Sequence, residues 1–215
     1  MKAEDNKNSD PTRERILEEA ERLFAQKGYD AVTVREITNA AGTHLAAVNY
    51  HFGNKENLYL EVFRARWLER SRKIRQPLLD LEKQEHFTPE DLVRTLARAL
   101  LGDSLTAEER LRHAQLISRE MGQQSKAFAL LTQEAILPFI EMSTRLWQRC
   151  LSRPMEPERL KLLALSIFSQ VLYFNFARPV VTLATGREYN PEFVEQLVEH
   201  ITSFVLYGLN GDGAQ

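Results

Sequence analysis

Cysteine is nearly missing from this chain, with Cys150 its sole example. That excludes an intramolecular disulfide framework and the usual structural zinc clusters, and it fits a reducing cytosol. No apolar stretch follows Met1–Asp10, so a secretory signal is not expected. No window is long and apolar enough to span a bilayer, because the richest run, Leu160–Ala177, is interrupted by Lys161, Ser166, Ser169, Gln170 and Asn175. A large excess of either charge is lacking too, the net charge being −2. Residues 1–76 hold 14 Lys and Arg against 12 Asp and Glu, and the remainder holds 14 against 18. The asymmetry has the sign of a DNA-facing N-terminal part and an acidic remainder, but its size decides nothing. Signatures of catalysis are absent as well: no metal-spaced histidine pair, no Gly-x-Ser-x-Gly elbow, no phosphate-cradling glycine loop and no Cys–His pattern. Cys150 beside Arg149 offers at most a thiol of lowered pKa, and a lone helical cysteine is usually inert. A cytoplasmic, non-enzymatic chain without cofactor, metal or membrane attachment is expected.

What is present is an ordinary globular composition, 43% hydrophobic and 27% charged, arranged with helical periodicity. Residues 1–10 are polar and aperiodic and read as a flexible arm. Asp10-Pro11 suits a helix start, and Ile16, Leu17, Ala20, Leu23 and Phe24 then fall on one helical face, with Gly28 placed to end it. Thr33-Val-Arg-Glu36 is a capping box for a short helix to about Ala41. Gly42 breaks it, and a second short apolar stretch, Leu45–Phe52, follows. Asn54 caps a long helix expected from Lys55 to about Arg75. Thr88-Pro-Glu-Asp91 and Thr106-Ala-Glu-Glu109 open the next two, ending near Leu101 and Met121. Another runs from about Ser125 to Leu151, kinked or broken at Pro138. The last two cover about 157–177, ended by Pro179, and 190–207. About nine helices and no strands make an all-α fold, divided into an arm (1–10), a head (11–54) and a larger remainder (55–215) entered through the 55–75 helix.

Two short helices joined through Gly42 are what a helix-turn-helix requires, since glycine tolerates the backbone of the sharp turn. Ile37 and Val48 flank that turn, spaced to close a small core. By itself such a pattern also arises from ordinary packing of helices. The run from Arg13 to Phe63, however, resembles the DNA-binding domain of the TetR family without a gap. The resemblance is carried by Ala20…Leu23-Phe24…Gly28-Tyr29, Thr33-Val34-Arg35-Glu36-Ile37, Ala41-Gly42, Tyr50-His51-Phe52 and Lys55-Glu56…Leu58. It implies a three-helix head, a C-terminal ligand-binding and dimerisation domain, double-stranded operator DNA as partner, and repression relieved by a small-molecule effector. It assigns Thr33 to a phosphate contact, and Arg35 to phosphate or groove, a surface charge being the plain alternative. His44, Leu45, Ala47, Asn49 and Tyr50 match positions that touch bases or backbone. Asn49 suits adenine, Ala47 a thymine methyl, and Tyr50 and His51 phosphate. Lys55 matches a backbone-clamping lysine, while Val48 and Phe52 read as core. Two departures stand out: His44 occupies the place of a Ser, Thr or Asn cap, and Leu45 a place that is frequently basic or polar.

Helices 157–177 and 190–207 carry apolar residues on more than one face, and a second copy of the chain is one place to bury them. The resemblance supports this, its last two long helices forming a four-helix bundle in a homodimer that reads a palindrome. For an effector pocket the aromatic and polar residues Phe63, Trp67, His113, Met121, Phe128, Trp147, Tyr173, Phe174 and Arg178 are candidates, plain core or surface being the commoner role for each taken singly. Arg178 is the candidate anion anchor. The stretch 116–139 faintly resembles the regulatory half of CecR-like regulators, which names no effector. A DNA-binding protein of architectural or partner-bridging type, without an effector, is the alternative.

Overall fold

The computed structural model describes residues 10–102 and 105–211; the expected N-terminal arm lies outside them except for Asp10. The described residues are helical with no strand, in the order α1 (Pro11–Lys27), α2 (Val34–Ala40), α3 (Leu45–Phe52), α4 (Lys55–Val62), a π-helical stretch (Phe63–Leu68), α5 (Glu69–Glu82), α6 (Pro89–Leu101), α7 (Ala107–Gln123), α8 (Lys126–Leu131), a second π-helical stretch (Thr132–Ile136), α9 (Leu137–Cys150), α10 (Pro157–Phe176), α11 (Arg178–Thr185) and α12 (Pro191–Gly211). They fall into two compact units, one within Met1–Glu69 and Leu105–Ala135, the other within Arg70–Ser104 and Ile136–Gln215.

The helix starts follow from local chemistry. Asp10 Oδ1 accepts the Thr12 amide at 2.8 Å, and Asn54 Oδ1 accepts that of Asn57 at 2.8 Å. Thr33, Thr88 and Thr106 form full capping boxes with Glu36, Asp91 and Glu109. Two places differ from the sequence expectation, and one helix was not expected. The helix expected to stop near Arg75 continues through Pro77 to Glu82. Lys73 and Pro77 are exposed, so the carbonyl left without a partner by proline meets water rather than a core. The break expected at Pro138 is a π-helical stretch just before it, Thr132–Ile136, with α9 resuming at once. The helix expected to end before Pro179 does so at Phe176, but Pro179 then lies in the first turn of a further helix, α11, bent 76° from α10.

The first unit is built on α1, which packs against α2, α3, α4 and α7. Ile16, Leu17, Phe24, Ile37, Val48, Leu58, Val62, Phe63 and Leu116 meet in its core, all fully buried. Tyr59 lies at its centre, its ring edge-on to Phe24 at 4.8 Å and 4.9 Å from Tyr29. The second unit packs α6 against α9, α10 and α12, around Leu101, Leu146, Trp147, Leu160 and Ile201. Asn175 and Arg178 donate to the carbonyls of Leu100 and Leu101, closing the open end of α6. No single helix among the described residues is long and apolar enough to cross a membrane; α10 with α11 passes only as a bent pair.

Candidate nucleic-acid interface

Residues 33–55 form the helix-turn-helix. Ile37 of α2 and Val48 of α3 are both fully buried, and Gly42 between them takes φ +60°, a left-handed value that penalises a side chain. Phe52 completes the inner side of α3, with the Arg13 guanidinium over its ring at 5.4 Å. With Val48 and Phe52 facing inward, a 3.6-residue turn sends Ala46 and Tyr50 to the opposite side, while Leu45, three residues before Val48, and Asn49 stand at the rim of the buried side; all four are exposed. Leu45 is 54% and Tyr50 65% accessible.

The remaining residues of the expected interface divide by their surroundings. Arg35 is exposed on α2. Lys55 holds its ammonium 4.2 Å from the Tyr29 ring centre, a cation–π contact that fixes it at the start of α4. His44 is exposed at the N-cap of α3 and makes no side-chain cap bond. Ala47 is half-buried. The Thr33 amide and hydroxyl both donate to Glu36 Oε2, at 2.8 and 2.9 Å. With Lys27 added at 3.0 Å, those bonds hold the Glu36 carboxyl well below its ordinary range, at about 2. Thr33 is therefore engaged within its own cap. The His51 side chain is buried, its Nε2 3.5 Å from an Asp10 carboxylate oxygen, which turns it toward the start of α1. Backbone hydrogen bonding at Thr12 is the main cause that lowers the Asp10 pKa.

Of the residues considered for an effector, five lie in the first unit. Phe63 is fully buried and Met121 exposed, with Phe128 between. The rings of Trp67 and His113 meet at 5.0 Å with their planes tilted by 35°, and His113 sets Nε2 3.6 Å from Glu21. The Trp67 indole N–H is a buried donor without an acceptor among the described residues. Four lie in the second unit. Trp147 is core, Tyr173 is exposed, Phe174 packs on the core and accepts the Tyr189 hydroxyl at its carbonyl, 2.5 Å away. Arg178 reaches Leu101 O at 2.8 Å and lies 4.4 Å over the Tyr189 ring. Burial pushes the Cys150 thiol up to about 11, opposite to the activation Arg149 would give. Among the described residues no cluster of His, Cys, Asp and Glu is arranged to hold a metal ion.

Sequence reasoning did not find Glu21 and Glu120, both buried acids of the first unit. Glu120 accepts the Tyr59 hydroxyl at 2.5 Å, the Phe128 amide at 3.1 Å and the Ser125 hydroxyl. Their sequence signal is slight: Glu21 lies one residue past Ala20 on the apolar side of α1, where a charge needs partners from elsewhere.

Comparison with known proteins agrees with this geometry. Residues 16–62 match the model of bacterial regulatory proteins of the tetR family. Residues 83–209 match that of the C-terminal domain of the HTH-type transcriptional dual regulator CecR. The chain is 28% identical over 205 residues to the CecR regulator of Shigella flexneri, covering 87% of each chain. It is 47% identical over 53 residues to the transcriptional repressor AcnR of Corynebacterium glutamicum, covering 25% of this chain and 28% of that one. Among solved structures, the fatty acid degradation regulator FadR of Bacillus halodurans superposes with a TM-score of 0.63 at 17% identity, over 94% of this chain and 97% of that one. A TetR-like regulator of Rhodococcus sp. RHA1 gives a TM-score of 0.63 at 15% identity, over 93% and 96%. A complete head match and a C-terminal match spanning more than half the sequence lead to one assignment: this chain belongs to the TetR family of helix-turn-helix transcriptional regulators.

Proposed function

We propose that the protein is a homodimeric regulator that binds a palindromic operator and leaves it when a small molecule binds its C-terminal part. The observation that carries the DNA half is the exposed set on α3, Leu45, Ala46, Asn49 and Tyr50, on a closed three-helix core. Arg35, Tyr50 and Lys55 are its phosphate contacts and His44 borders the base-reading face, while Thr33 and His51 position α2 and α3 through Glu36 and Asp10. Two heads in a symmetric dimer engage successive major grooves about one helical turn apart, ~34–36 Å. Titration of genomic fragments recovered by footprinting tests this. Affinity is expected to fall steeply as salt rises, and a flat salt dependence would overturn the phosphate contacts.

Dimerisation is assigned to α10 and α12. Leu162, Leu165, Tyr173, Phe204 and Tyr207 are exposed there, beside a groove of about 460 Å³ lined by Met155, Leu163, Ile167 and Val205. An unpartnered apolar surface of this kind fits a second copy packed as a four-helix bundle.

The effector half rests on family membership and on the Trp67 N–H, a buried donor for which an acceptor on a ligand would remove a standing cost. Arg178, bonded to Leu101 and stacked on Tyr189, favours the second reading, a DNA-binding protein that bridges partners without sensing. Native mass spectrometry of protein purified from its source separates them. A bound small molecule that weakens operator binding supports the sensor, and an unliganded dimer unresponsive to a metabolite extract supports the second reading.

A further inference from the structure

The chemistry of the outward face of α3 selects among base pairs, an inference that rests on the DNA-binding reading above. The helix from Leu45 to Phe52 contains no Arg, Lys, Asp or Glu. Guanine offers two acceptors to the major groove, best met by the Arg fork or the Lys ammonium, and cytosine offers an amino donor met by a carboxylate. The exposed side of α3 supplies none of these groups. It supplies Leu45 and Ala46, two apolar neighbours on the first turn, and Asn49 one turn on, its amide exposed. An asparagine amide matches the N6 donor and N7 acceptor of adenine together, and alkyl side chains match the thymine methyl. His44 precedes the helix, at the border of this face, and Tyr50 stands beyond Asn49 with its ring against His51 at 4.9 Å. The burial of Val48 and Phe52 turns Ala46 outward, and Leu45, at the rim of that buried side on the first turn, is itself 54% accessible.

We propose that α3 reads a core of A·T pairs in each half-site, Asn49 pairing with an adenine and Leu45 and Ala46 packing on thymine methyls.

Selection of bound duplexes from a randomised pool by the full-length protein, followed by base-analogue substitution in the selected site, tests this. The expected result is a half-site core rich in A·T. Replacing its thymines by deoxyuridine is expected to weaken binding by about fourfold for each methyl that is packed, and to have little effect on the Leu45→Ala, Ala46→Gly double variant. Replacing the contacted adenine by 7-deazaadenine is expected to cost wild type roughly tenfold and the Asn49→Ala variant almost nothing. These side chains are exposed, so circular dichroism of the variants is expected to match wild type. A selected core dominated by G·C, or full affinity retained with deoxyuridine and 7-deazaadenine, overturns the A·T assignment while leaving operator binding intact. Failure to enrich any duplex overturns the DNA-binding reading itself.

Discussion

Glu21 shows what a single buried charge does in this protein. It sits on α1 only 3% accessible, and Arg66, Arg112 and His113 surround it at 3.1, 3.6 and 3.6 Å. Burial raises its pKa above the ordinary 4.5, and the two arginines pull it back. The cluster ties α1 to α7 and to the π-helical stretch after α4. Removing the carboxylate leaves cations with part of their partners, since Arg66 keeps Glu14 and Arg112 keeps Glu108. Glu21→Ala is therefore expected to destabilise the first unit by about 2 kcal/mol, below the ~3–5 kcal/mol of a fully broken buried pair. Urea unfolding in a Trp147→Phe background checks this, because Trp67 then reports the first unit alone.

At the scale of the element, the cap of α2 and the end of α7 make opposite predictions. Glu36 is lowered to about 2 from an ordinary 4.5, so its ionised form is favoured by folding. That contribution is whole above pH 4.5 and is lost as pH falls through about 2. The stability difference between wild type and Glu36→Gln is expected to shrink steadily between those values in urea titrations at stepped pH; a difference constant over that range would overturn it. The end of α7 carries strain instead of stability. Gln124 closes that helix with φ +49°, left-handed for a residue with a Cβ. Gln124→Gly is expected to stabilise the first unit by up to ~1 kcal/mol, read as a higher urea midpoint.

For the whole molecule, the proposal that a second copy packs on the outer surfaces of α10 and α12 is open to direct test. Phe204 is 63% and Tyr207 83% accessible, on a helix whose Phe193, Leu197, Val198, Ile201 and Val205 already fill the core of the second unit. Replacing Phe204 by Glu places a charge where the partner's apolar surface would lie without disturbing that core. Sedimentation is expected to show a monomer with unchanged helical content, and operator affinity is expected to drop at least a hundredfold as the second head is lost. A dimer that survives Phe204→Glu and Tyr207→Glu together would move the interface elsewhere.

How far the chain could be read in advance follows from the range of the forces involved. The capping boxes at Thr33, Thr88 and Thr106, the turn at Gly42 and the apolar face of α1 are interactions within a few residues, so residue order alone determined where these helices start and the two short helices about Gly42. Tertiary packing decided the rest. Pro77 stays within a helix because its side faces water, and the bend between α10 and α11 falls where Asn175 and Arg178 bond the end of α6. Glu21, Glu120 and His113 are buried because their partners arrive from distant segments. A charge or a proline is read from its neighbours in sequence, but its solvent, and therefore its energy, is set by whatever the folded chain brings beside it.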